Sequence, residues 1–432
     1  MKILIVSAFF PPMNSIAGGR PYSWAKYWSQ AGHDVTVLTV QRAAEASDSP
    51  LPTDGFRVVR TPLPQRGRQR AHSTAASAVP SVRAPGLLRR LWRALKARYG
   101  IMSAVRMPDE HDRWVRHAIA VVCHDEWDVV VTTGGPYSVH FVGRTLKRSG
   151  AARRWCVDWR DLWTRNSLFP GLPGVRWLER CIEATFHREC DMVTTVSPPL
   201  AEMLRSMCDA PVHVVYNGFD PDDGARLAPE SIFPADGVFR VAYTGTLYPV
   251  RQDPTPFFAA LAHLQRERIV GPGTFEVVIA GACAPLLDIA ERFGVRALVT
   301  HRGMLTKSDA LRMQRDAQAL LLIGFRGAGQ EGVLSGKIFE YLSAGPPVLA
   351  VTADESSSIG EMLHETGRGV ALGSSVEAIA AQLRAWIAQS HAARRGDSNV
   401  LDERVLRYTR ERQAMQLLEI LQPRLSGAYA DG

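Results

Sequence analysis

A cation and a carboxylate lie three residues apart in a segment whose pattern predicts a loop, a helix over 336–343 and a buried strand over 348–351. Lys337 would stand in the first helical turn, where the helix dipole disfavours a cation unless an anion binds there. Glu340 follows on the same helix face, where its carboxylate could accept hydrogen bonds from a vicinal diol. Phosphate and ribose together would satisfy both residues, so the segment predicts a nucleotide site. An ordinary surface pair of Lys337 and Glu340 is the alternative.

The residues that flank this helix fit the same interpretation. Ser335 is a suitable N-cap residue, and Gly345 is a suitable residue to end the helix. Gly336 weakens the helix but lets backbone N–H groups approach a ligand closely. The helix start therefore offers several donors to one anion.

A second group of polar residues follows the predicted strand over 155–158. Asp158, Arg160 and Asp161 lie there between two tryptophans. The two carboxylates could serve as a general base or could accept hydrogen bonds from sugar hydroxyls. An Asp–Arg network that only orders the loop is the alternative.

Two further loops follow predicted strands. Gly18 and Gly19 precede a helix predicted over 20–31, which Arg20 opens, and they suit a phosphate or sugar cradle. The pair is not a GxGxxG fingerprint, and a plain turn is the alternative. Arg251 is the single cation of the loop over 244–253 and could bind a diphosphate with two hydrogen bonds; an ordinary exposed arginine is the alternative.

Apolar runs alternate with helical patterns along the chain, which predicts βαβ units and parallel sheets. Two such α/β blocks occur, near 1–218 and 235–395, and a last helix is predicted over 402–421. A chain of 432 residues is too long for one core and suits two large domains. Doubly wound sheets bind ligands at the carboxyl ends of their strands, so the loops after the strands are the expected site.

Composition excludes several protein classes. The sequence is 46% hydrophobic and 22% charged, as in globular proteins, and no stretch approaches a membrane span of about 20 apolar residues. Its six cysteines show no CxxC spacing, which favours reduced thiols over disulfides or zinc. We therefore expect a soluble cytoplasmic protein without a bound metal.

The net charge of +8 has a local origin. The segment 66–98 contains nine Lys or Arg and no acidic residue, and 83–98 alternates apolar and basic residues at helical spacing. Such a helix suits peripheral contact with an anionic membrane. A helix docked on its own domain with a solvated basic face is the alternative. Nucleic acid is not expected as a partner, since no recognised binding motif accompanies the charge.

In the order and composition of these loops, the chain resembles the retaining family 4 glycosyltransferases of the GT-B fold, in particular the bacterial branch that acts on cell-surface polysaccharides. The similarity covers nearly the whole length. It is carried in order by an opening strand with a double proline and the glycine pair, and by five further motifs: Thr133-Gly-Gly-Pro-Tyr-Ser138, Asp158-Trp-Arg-Asp-Leu-Trp163, Val215-Tyr-Asn-Gly-Phe-Asp220, Tyr243-Thr-Gly-Thr-Leu247 and the segment 337–345.

The resemblance implies an α/β architecture of two Rossmann-like, doubly wound domains that face each other across a cleft. Residues 1–218 would bind the acceptor, 219–234 would link the domains, 235–400 would bind the nucleotide-sugar, and a helix within 401–424 would cross back. The resemblance implies three groups of site residues. The donor would contact Gly245, Thr246, Arg251, Glu331, Ser335, Gly336, Lys337 and Glu340. The acceptor would contact Gly18, Gly19, Arg20 and Arg160. Catalysis would involve Asp161 and Asp158.

The implied reaction is metal-independent sugar transfer, with retention, from a UDP- or GDP-sugar to a glycan, lipid-linked or small-molecule acceptor. The chain departs from the family at its usual cation positions, which hold Thr246 and Gln252. It departs again at the first of the two family glutamates, where Gly332 stands and Glu331 is the neighbouring candidate. A sugar-nucleotide 2-epimerase of the same fold and a non-catalytic partner subunit are therefore the alternatives. The enzyme would work in the cytoplasm or at the inner face of the cytoplasmic membrane.

Overall fold

The computed structural model describes residues 1–13, 15–42, 51–63, 109, 111–166, 171–249, 251–327, 332–392 and 401–422. The chain divides into two compact units. The N-terminal unit comprises Met1–Val196, Leu200–Val215 and Ala414–Gly432, and the C-terminal unit comprises Ser197–Pro199 and Tyr216–Gln413. The basic segment 66–98, with the helix predicted over 83–98, and Glu331 lie outside the described residues.

The N-terminal unit is built on a sheet of parallel strands. Its strands are β1 (Lys2–Val6), β2 (Asp34–Gln41), β3 (Arg57–Pro62), β4 (Trp127–Thr133), β5 (Ala152–Trp159), β6 (Met192–Thr195) and β7 (Val212–Val214). Their order is β3-β2-β1-β4-β5-β6-β7, and Ile3 of β1 pairs with both Val35 and Val129. The residues Ile3–Val6 are fully buried, because helices cover both faces of the sheet.

The helices of this unit are α1 (Ile16–Gln30), α2 (Trp114–Val122), α3 (His140–Arg148), α4 (Arg176–Glu189) and α5 (Pro198–Arg205). Helix α1 begins four residues before the predicted start at Arg20. The Ser15 side chain accepts a hydrogen bond from Ala17 N and caps the helix there, so Gly18 and Gly19 lie inside the first turns.

The C-terminal unit has a second parallel sheet in the order β10-β9-β8-β11-β12-β13. Its strands are β8 (Phe239–Thr244), β9 (Phe275–Ala280), β10 (Val299–His301), β11 (Ala319–Ile323), β12 (Val348–Val351) and β13 (Gly369–Ala371). All strands are parallel, but the order in which the chain adds them to the sheet reverses between β8 and β11. The carboxyl ends of these two strands are therefore the expected binding crevice.

The remaining helices are α6 (Pro221–Ala225), α7 (Thr255–Arg266), α8 (Pro285–Arg292), α9 (Lys307–Asp316), α10 (Gly336–Ala344), α11 (Ser358–Thr366), α12 (Val376–Ala392), α13 (Glu403–Leu406) and α14 (Arg410–Leu421). The single helix predicted over 402–421 is therefore wrong: it is two helices. Between them the backbone pairs with Phe219, whose N–H donates to Tyr408 O and whose carbonyl accepts from Arg410 N. The α/β class with two parallel sheets is confirmed.

The last helix contributes to the core of the N-terminal unit. Leu417 and Leu418 are buried in a cluster that includes Trp24 and Trp28. The indole of Trp28 donates to Ala414 O at 2.8 Å. The N-terminal unit is therefore completed by residues from the far end of the chain. No helix among the described residues is long and apolar enough to cross a membrane.

Candidate functional site

Three loops of the C-terminal unit meet closely at the carboxyl edge of its sheet. Gly245, just after β8, has φ +113° and donates its N–H to Ala280 O at 2.8 Å. Gly281, just after β9, donates to Gly303 O at 2.7 Å. A Cβ on Gly281 would lie 2.6 Å from Gly245 O, so only glycine permits this approach. The loops thus expose backbone rather than side chains at the edge.

Lys337 extends from the first turn of α10 into the loop after β8. Its Nζ donates to Tyr243 Oη at 2.7 Å and to Thr246 O at 2.9 Å, and it lies 4.2 Å from the centroid of the Tyr243 ring. A Cβ on Gly245 would lie 2.6 Å from Lys337 Cε. Burial lowers the pKa of Lys337 to about 8, against the smaller raising effects of Cys283 and Glu340. A cation is thereby held beside the glycine loops.

Helix α10 starts at a residue of a capping type whose side chain does not cap it. Ser335 occupies the N-cap position but makes no side-chain cap hydrogen bond, whereas Thr306 and Ser357 cap α9 and α11 with their side chains. Gly345 ends the helix with φ +103°. The first turn of α10 therefore does not use the Ser335 hydroxyl to satisfy its N–H groups, which suits an incoming anion.

Glu340 lies one turn further along α10 and is half-buried. Its Oε2 accepts from Gln314 Nε2 at 3.2 Å, and the same nitrogen donates to Thr244 Oγ1 at 2.8 Å. Burial raises the pKa of Glu340, partly opposed by the Gln314 hydrogen bond. Gln314 therefore links Glu340 to the end of β8, a role that sequence reasoning missed because nothing local distinguishes this residue of α9.

The other donor-site candidates have different surroundings. Arg251 is half-buried in the loop after β8, its carbonyl accepts from Arg326 N at 2.7 Å, and burial lowers the pKa of its guanidinium. Thr246 contributes the carbonyl that Lys337 contacts. Gln252 is buried and donates to Ile323 O at 2.7 Å, so it supports the loop structurally.

Asp158 in the N-terminal unit is fully buried and fully hydrogen-bonded. Arg20 donates to its two oxygens at 2.8 and 3.1 Å. Thr133 and Thr194 donate to it at 2.7 and 2.8 Å. Burial alone would raise the pKa of Asp158, but the charge and hydrogen bonds of Arg20 lower it below the ordinary value. A carboxylate in this state is a poor proton acceptor, and the geometry favours the alternative of a structural Asp–Arg network.

The acceptor-site candidates around Asp158 have comparable structural roles. Arg20 is only 6% exposed and stacks on Trp24, with 4.8 Å between the guanidinium carbon and the ring centroid. Arg160 donates to Ala17 O at 2.8 Å and to the Gly134 and Gly135 carbonyls, which ties the loop after β4 to the first turn of α1. Gly18 is buried within α1 and Gly19 is half-buried there, so the predicted open glycine cradle is instead helix.

Asp161 is the exposed carboxylate of the same loop. Its backbone carbonyl, with that of Leu162, accepts from Tyr137 Oη at 3.1 Å. The loop position is therefore fixed while the Asp161 side chain reaches solvent. Of the two predicted catalytic carboxylates, Asp161 has the accessibility that proton transfer from an acceptor requires.

Two further buried polar residues of the N-terminal unit, Asp109 and His140, were not indicated by the sequence. Asp109 accepts from Ser138 N at 3.0 Å, Ser138 Oγ at 2.8 Å and His111 N at 2.7 Å, and burial raises its pKa to about 6. His140 pairs with Thr132 at 2.8 Å, and burial lowers its pKa to about 3, so it is neutral at physiological pH. Their long-range contacts leave no local sequence pattern.

Among the described residues, no three His, Cys, Asp or Glu side chains cluster closely enough to hold a metal ion. The groups available for a ligand in the C-terminal unit are the glycine loops, Lys337, the start of α10 and Glu340. Together they offer a cation and backbone donors to an anion, and a carboxylate to hydroxyl groups. These are the contacts that a phosphorylated sugar derivative requires.

Comparison with known proteins gives one family and one fold. Residues 18–218 match the family described as "Glycosyl transferase 4-like domain". No protein with a curated description matches the chain. Similar solved structures include the sucrose-phosphate synthase of Thermosynechococcus elongatus, with 14% identity over 97% of this chain and 98% of that one and a TM-score of 0.61.

Two further similar structures are glycosyltransferases named for lipopolysaccharide. The lipopolysaccharide outer core galactosyltransferase WaaB is 13% identical over 98% of this chain and 100% of its own, with a TM-score of 0.59. WaaG, a glycosyltransferase involved in lipopolysaccharide biosynthesis, is 15% identical over the same shares, with a TM-score of 0.54. Residues 18–218 thus match a glycosyl transferase 4-like domain, and the chain has the fold of the GT-B glycosyltransferases.

Proposed function

We propose that this protein transfers a sugar, with retention of configuration, from a nucleotide-sugar to a hydroxyl group of a glycan, lipid-linked or small-molecule acceptor. The observation that carries the proposal is the position of Lys337, whose Nζ contacts Thr246 O beside the glycine loops. Family resemblance leads us to expect a loop cation near Thr246, and this chain brings a cation to that place from α10 instead. A UDP- or GDP-sugar is the expected donor.

The leaving diphosphate would bind where positive charge and N–H groups converge. Lys337, the N-terminus of α10 and Arg251 would stabilise the charge that grows on it, so no metal ion would be needed. The carboxylate of Glu340 would accept hydrogen bonds from the ribose diol, and Gln314 would hold that carboxylate in place. Gly245 would let the diphosphate approach the backbone closely.

On the acceptor side, Asp161 is the carboxylate that we propose to orient the acceptor hydroxyl or take its proton. The hydroxyl would attack the sugar from the face that the diphosphate leaves, which retains configuration. Asp158 would act indirectly, since its pairing with Arg20 and two threonines fixes the strand end that precedes Asp161. Lipid-linked acceptors would bring the reaction to the inner face of the cytoplasmic membrane.

A transfer assay with separate donors tests this proposal. The purified protein is incubated with UDP- and GDP-sugars, with and without acceptor extracts, and products are followed by mass spectrometry. We expect a glycosylated product only when donor and acceptor are both present, and turnover at least about a hundredfold lower in Lys337→Ala.

Two outcomes would contradict sugar transfer. A change of sugar configuration at C2 with donor alone would identify an epimerase. Absence of turnover with every donor, together with stable association with another glycosyltransferase, would identify a non-catalytic partner subunit.

A further inference from the structure

Helix α4 has an unusual distribution of side chains between core and solvent. Two of its three carboxylates, Glu179 and Glu183, are 3% and 2% exposed, whereas Trp177 and Leu178 are 70% and 47% exposed. Burial of acidic residues with exposure of large apolar ones reverses the arrangement expected for a helix on a water-facing surface. Contact with water alone does not account for the exposed face of α4, whereas a partner that accepts apolar side chains does.

The buried carboxylates have identifiable partners inside the unit. The indole of Trp163 donates to Glu179 Oε1 at 3.3 Å, and Thr164 donates to Glu183 through both its N–H, at 3.4 Å, and its hydroxyl. These bonds hold the loop after β5 against α4. They account for the burial of Glu179 and Glu183 but give no reason for the exposure of Trp177.

The charge of the exposed face has one sign. The exposed residues of α4 form one stripe at helical spacing and include two arginines and no acidic residue: Trp177, Leu178, Arg180, Cys181, Ala184 and Arg188. Helix α3 packs beside it, with the rings of Phe141 and Phe186 at 4.9 Å, but its Arg148 pairs with Glu189 at the end of α4 at 3.0 Å, so the cations of the face are Arg180 and Arg188. The surface thus combines apolar side chains with cations.

We propose that this face of α4 binds an anionic membrane surface. Trp177 and Leu178 would enter the headgroup region, where indole rings are favoured, while Arg180 and Arg188 would contact lipid phosphates. One Trp and one Leu cover far less than the roughly 800 Å² per partner of a stable protein interface, so charge and size favour a lipid surface over another protein.

The lipid contact would hold the acceptor loop near the bilayer. Trp163 and Thr164 bind the buried side of α4 and lie two and three residues after Asp161 in sequence. This consequence rests on the proposed function, since it concerns a lipid-linked acceptor. The binding itself does not, and it can be measured without any turnover.

Sedimentation with lipid vesicles tests the proposal on the full chain. Phosphatidylcholine vesicles with and without phosphatidylglycerol are compared. We expect binding to the anionic vesicles only, reduced about tenfold or more in Trp177→Ser/Leu178→Ser and in Arg180→Glu/Arg188→Glu. The matched controls are Met304→Ser, an 81% exposed apolar residue of the C-terminal unit, and Arg266→Glu/Arg292→Glu, two exposed arginines there. Both controls should bind like the wild type.

Quenching of tryptophan fluorescence by brominated lipids separates α4 from the basic segment of the sequence. We expect quenching in the wild type and in Trp92→Phe, and its loss in Trp177→Phe, a mild change at an exposed site. Binding that is absent in the wild type, equal for both vesicle types, or unaffected by the α4 variants would overturn the proposal. Quenching lost in Trp92→Phe but kept in Trp177→Phe would do the same and would assign the contact to residues 83–98.

Discussion

Lys337 is a cation whose surroundings make its charge depend on pH near neutrality. Burial beside Tyr243 lowers its pKa to about 8 from an ordinary value of 10.5. In the absence of a ligand the folded protein disfavours the charged form, so stability gained from neutral Lys337 is present at high pH and lost as pH falls through about 8. A diphosphate would reverse this preference and would bind best to the protonated lysine.

Nucleotide affinity should therefore be constant below about pH 8 and should fall by up to about tenfold per pH unit above it. Titrations of the same nucleotide between neutral and alkaline pH measure this directly. In Lys337→Arg the cation stays charged, so binding should persist without the alkaline decline. A wild-type affinity that depends on pH no more than that of Lys337→Arg would contradict the contact between Lys337 and the diphosphate.

Asp158 and Arg20 form a buried ion pair that stabilises the fold of the N-terminal unit. Both side chains are almost fully buried, at 0% and 4% exposure. Removal of one partner therefore leaves the other charge buried without its ion-pair partner. We expect Arg20→Met and Asp158→Asn each to lower the free energy of unfolding by about 3–5 kcal/mol. Because the pKa of Asp158 is lowered, the stability that it contributes is present above the ordinary Asp pKa and lost as pH falls below it.

A double-mutant cycle measured by urea unfolding of the N-terminal unit tests this pair. The double variant should lose clearly less stability than the sum of the two single losses, because it removes both charges and leaves neither of them buried without the other. Additive losses, or single losses below about 1 kcal/mol, would show that the pair does not support the strand end.

At the scale of elements, the loop after β8 depends on one backbone conformation. Gly245 has φ +113°, and a Cβ there would meet the flexible end of Lys337. We expect Gly245→Ala to fold but to displace Lys337 and weaken nucleotide binding by about tenfold or more. Gly273→Ala is the matched control, since Gly273 has φ +84° and no atom lies within 4 Å of its added Cβ.

Isothermal calorimetry with thermal melting separates the two effects. Both variants should lose about 1 kcal/mol or somewhat more of stability through backbone strain, and only Gly245→Ala should lose affinity. Equal affinities for the two variants would show that the room left for Lys337 does not matter for binding.

The strands and α10 were predictable because their patterns are local. Runs such as 348–351 are apolar throughout, as strands buried on both faces must be, and Lys337 and Glu340 follow from helical spacing. The start of α1 was not predictable from the glycines, since the cap is made by Ser15, three residues before Gly18. The break between α13 and α14 depends on pairing with Phe219, far away in sequence, which no local pattern reveals.

At the scale of the whole molecule, the N-terminal unit is discontinuous in sequence. Leu417 of α14 is fully buried in its core together with Trp24 and Trp28. Leu417→Ala should therefore lower the stability of the N-terminal unit by about 2–5 kcal/mol, while Glu419→Ala, at an exposed position of the same helix, should change little. Thermal unfolding monitored by tryptophan fluorescence measures the loss. An unfolding midpoint in Leu417→Ala equal to that in Glu419→Ala would contradict the role of this helix.

The site was less predictable than the fold. Sequence pattern indicated residues at strand ends, but it could not distinguish Asp158, saturated by Arg20 and two threonines, from the exposed Asp161. It gave no indication of Gln314 or Asp109, whose partners are 26 and 29 residues away. Burial and long-range hydrogen bonds decide these roles, and both are properties of the folded chain.

The central claim is that the C-terminal unit holds a nucleotide-sugar between Lys337, the start of α10 and Glu340. Calorimetric titration of the full chain with UDP, GDP, dTDP and ADP, without added metal, tests it most directly. We expect one nucleotide to bind in the micromolar range and Glu340→Ala to abolish this binding. Failure of all four to bind, or equal affinity in Glu340→Ala, would contradict it.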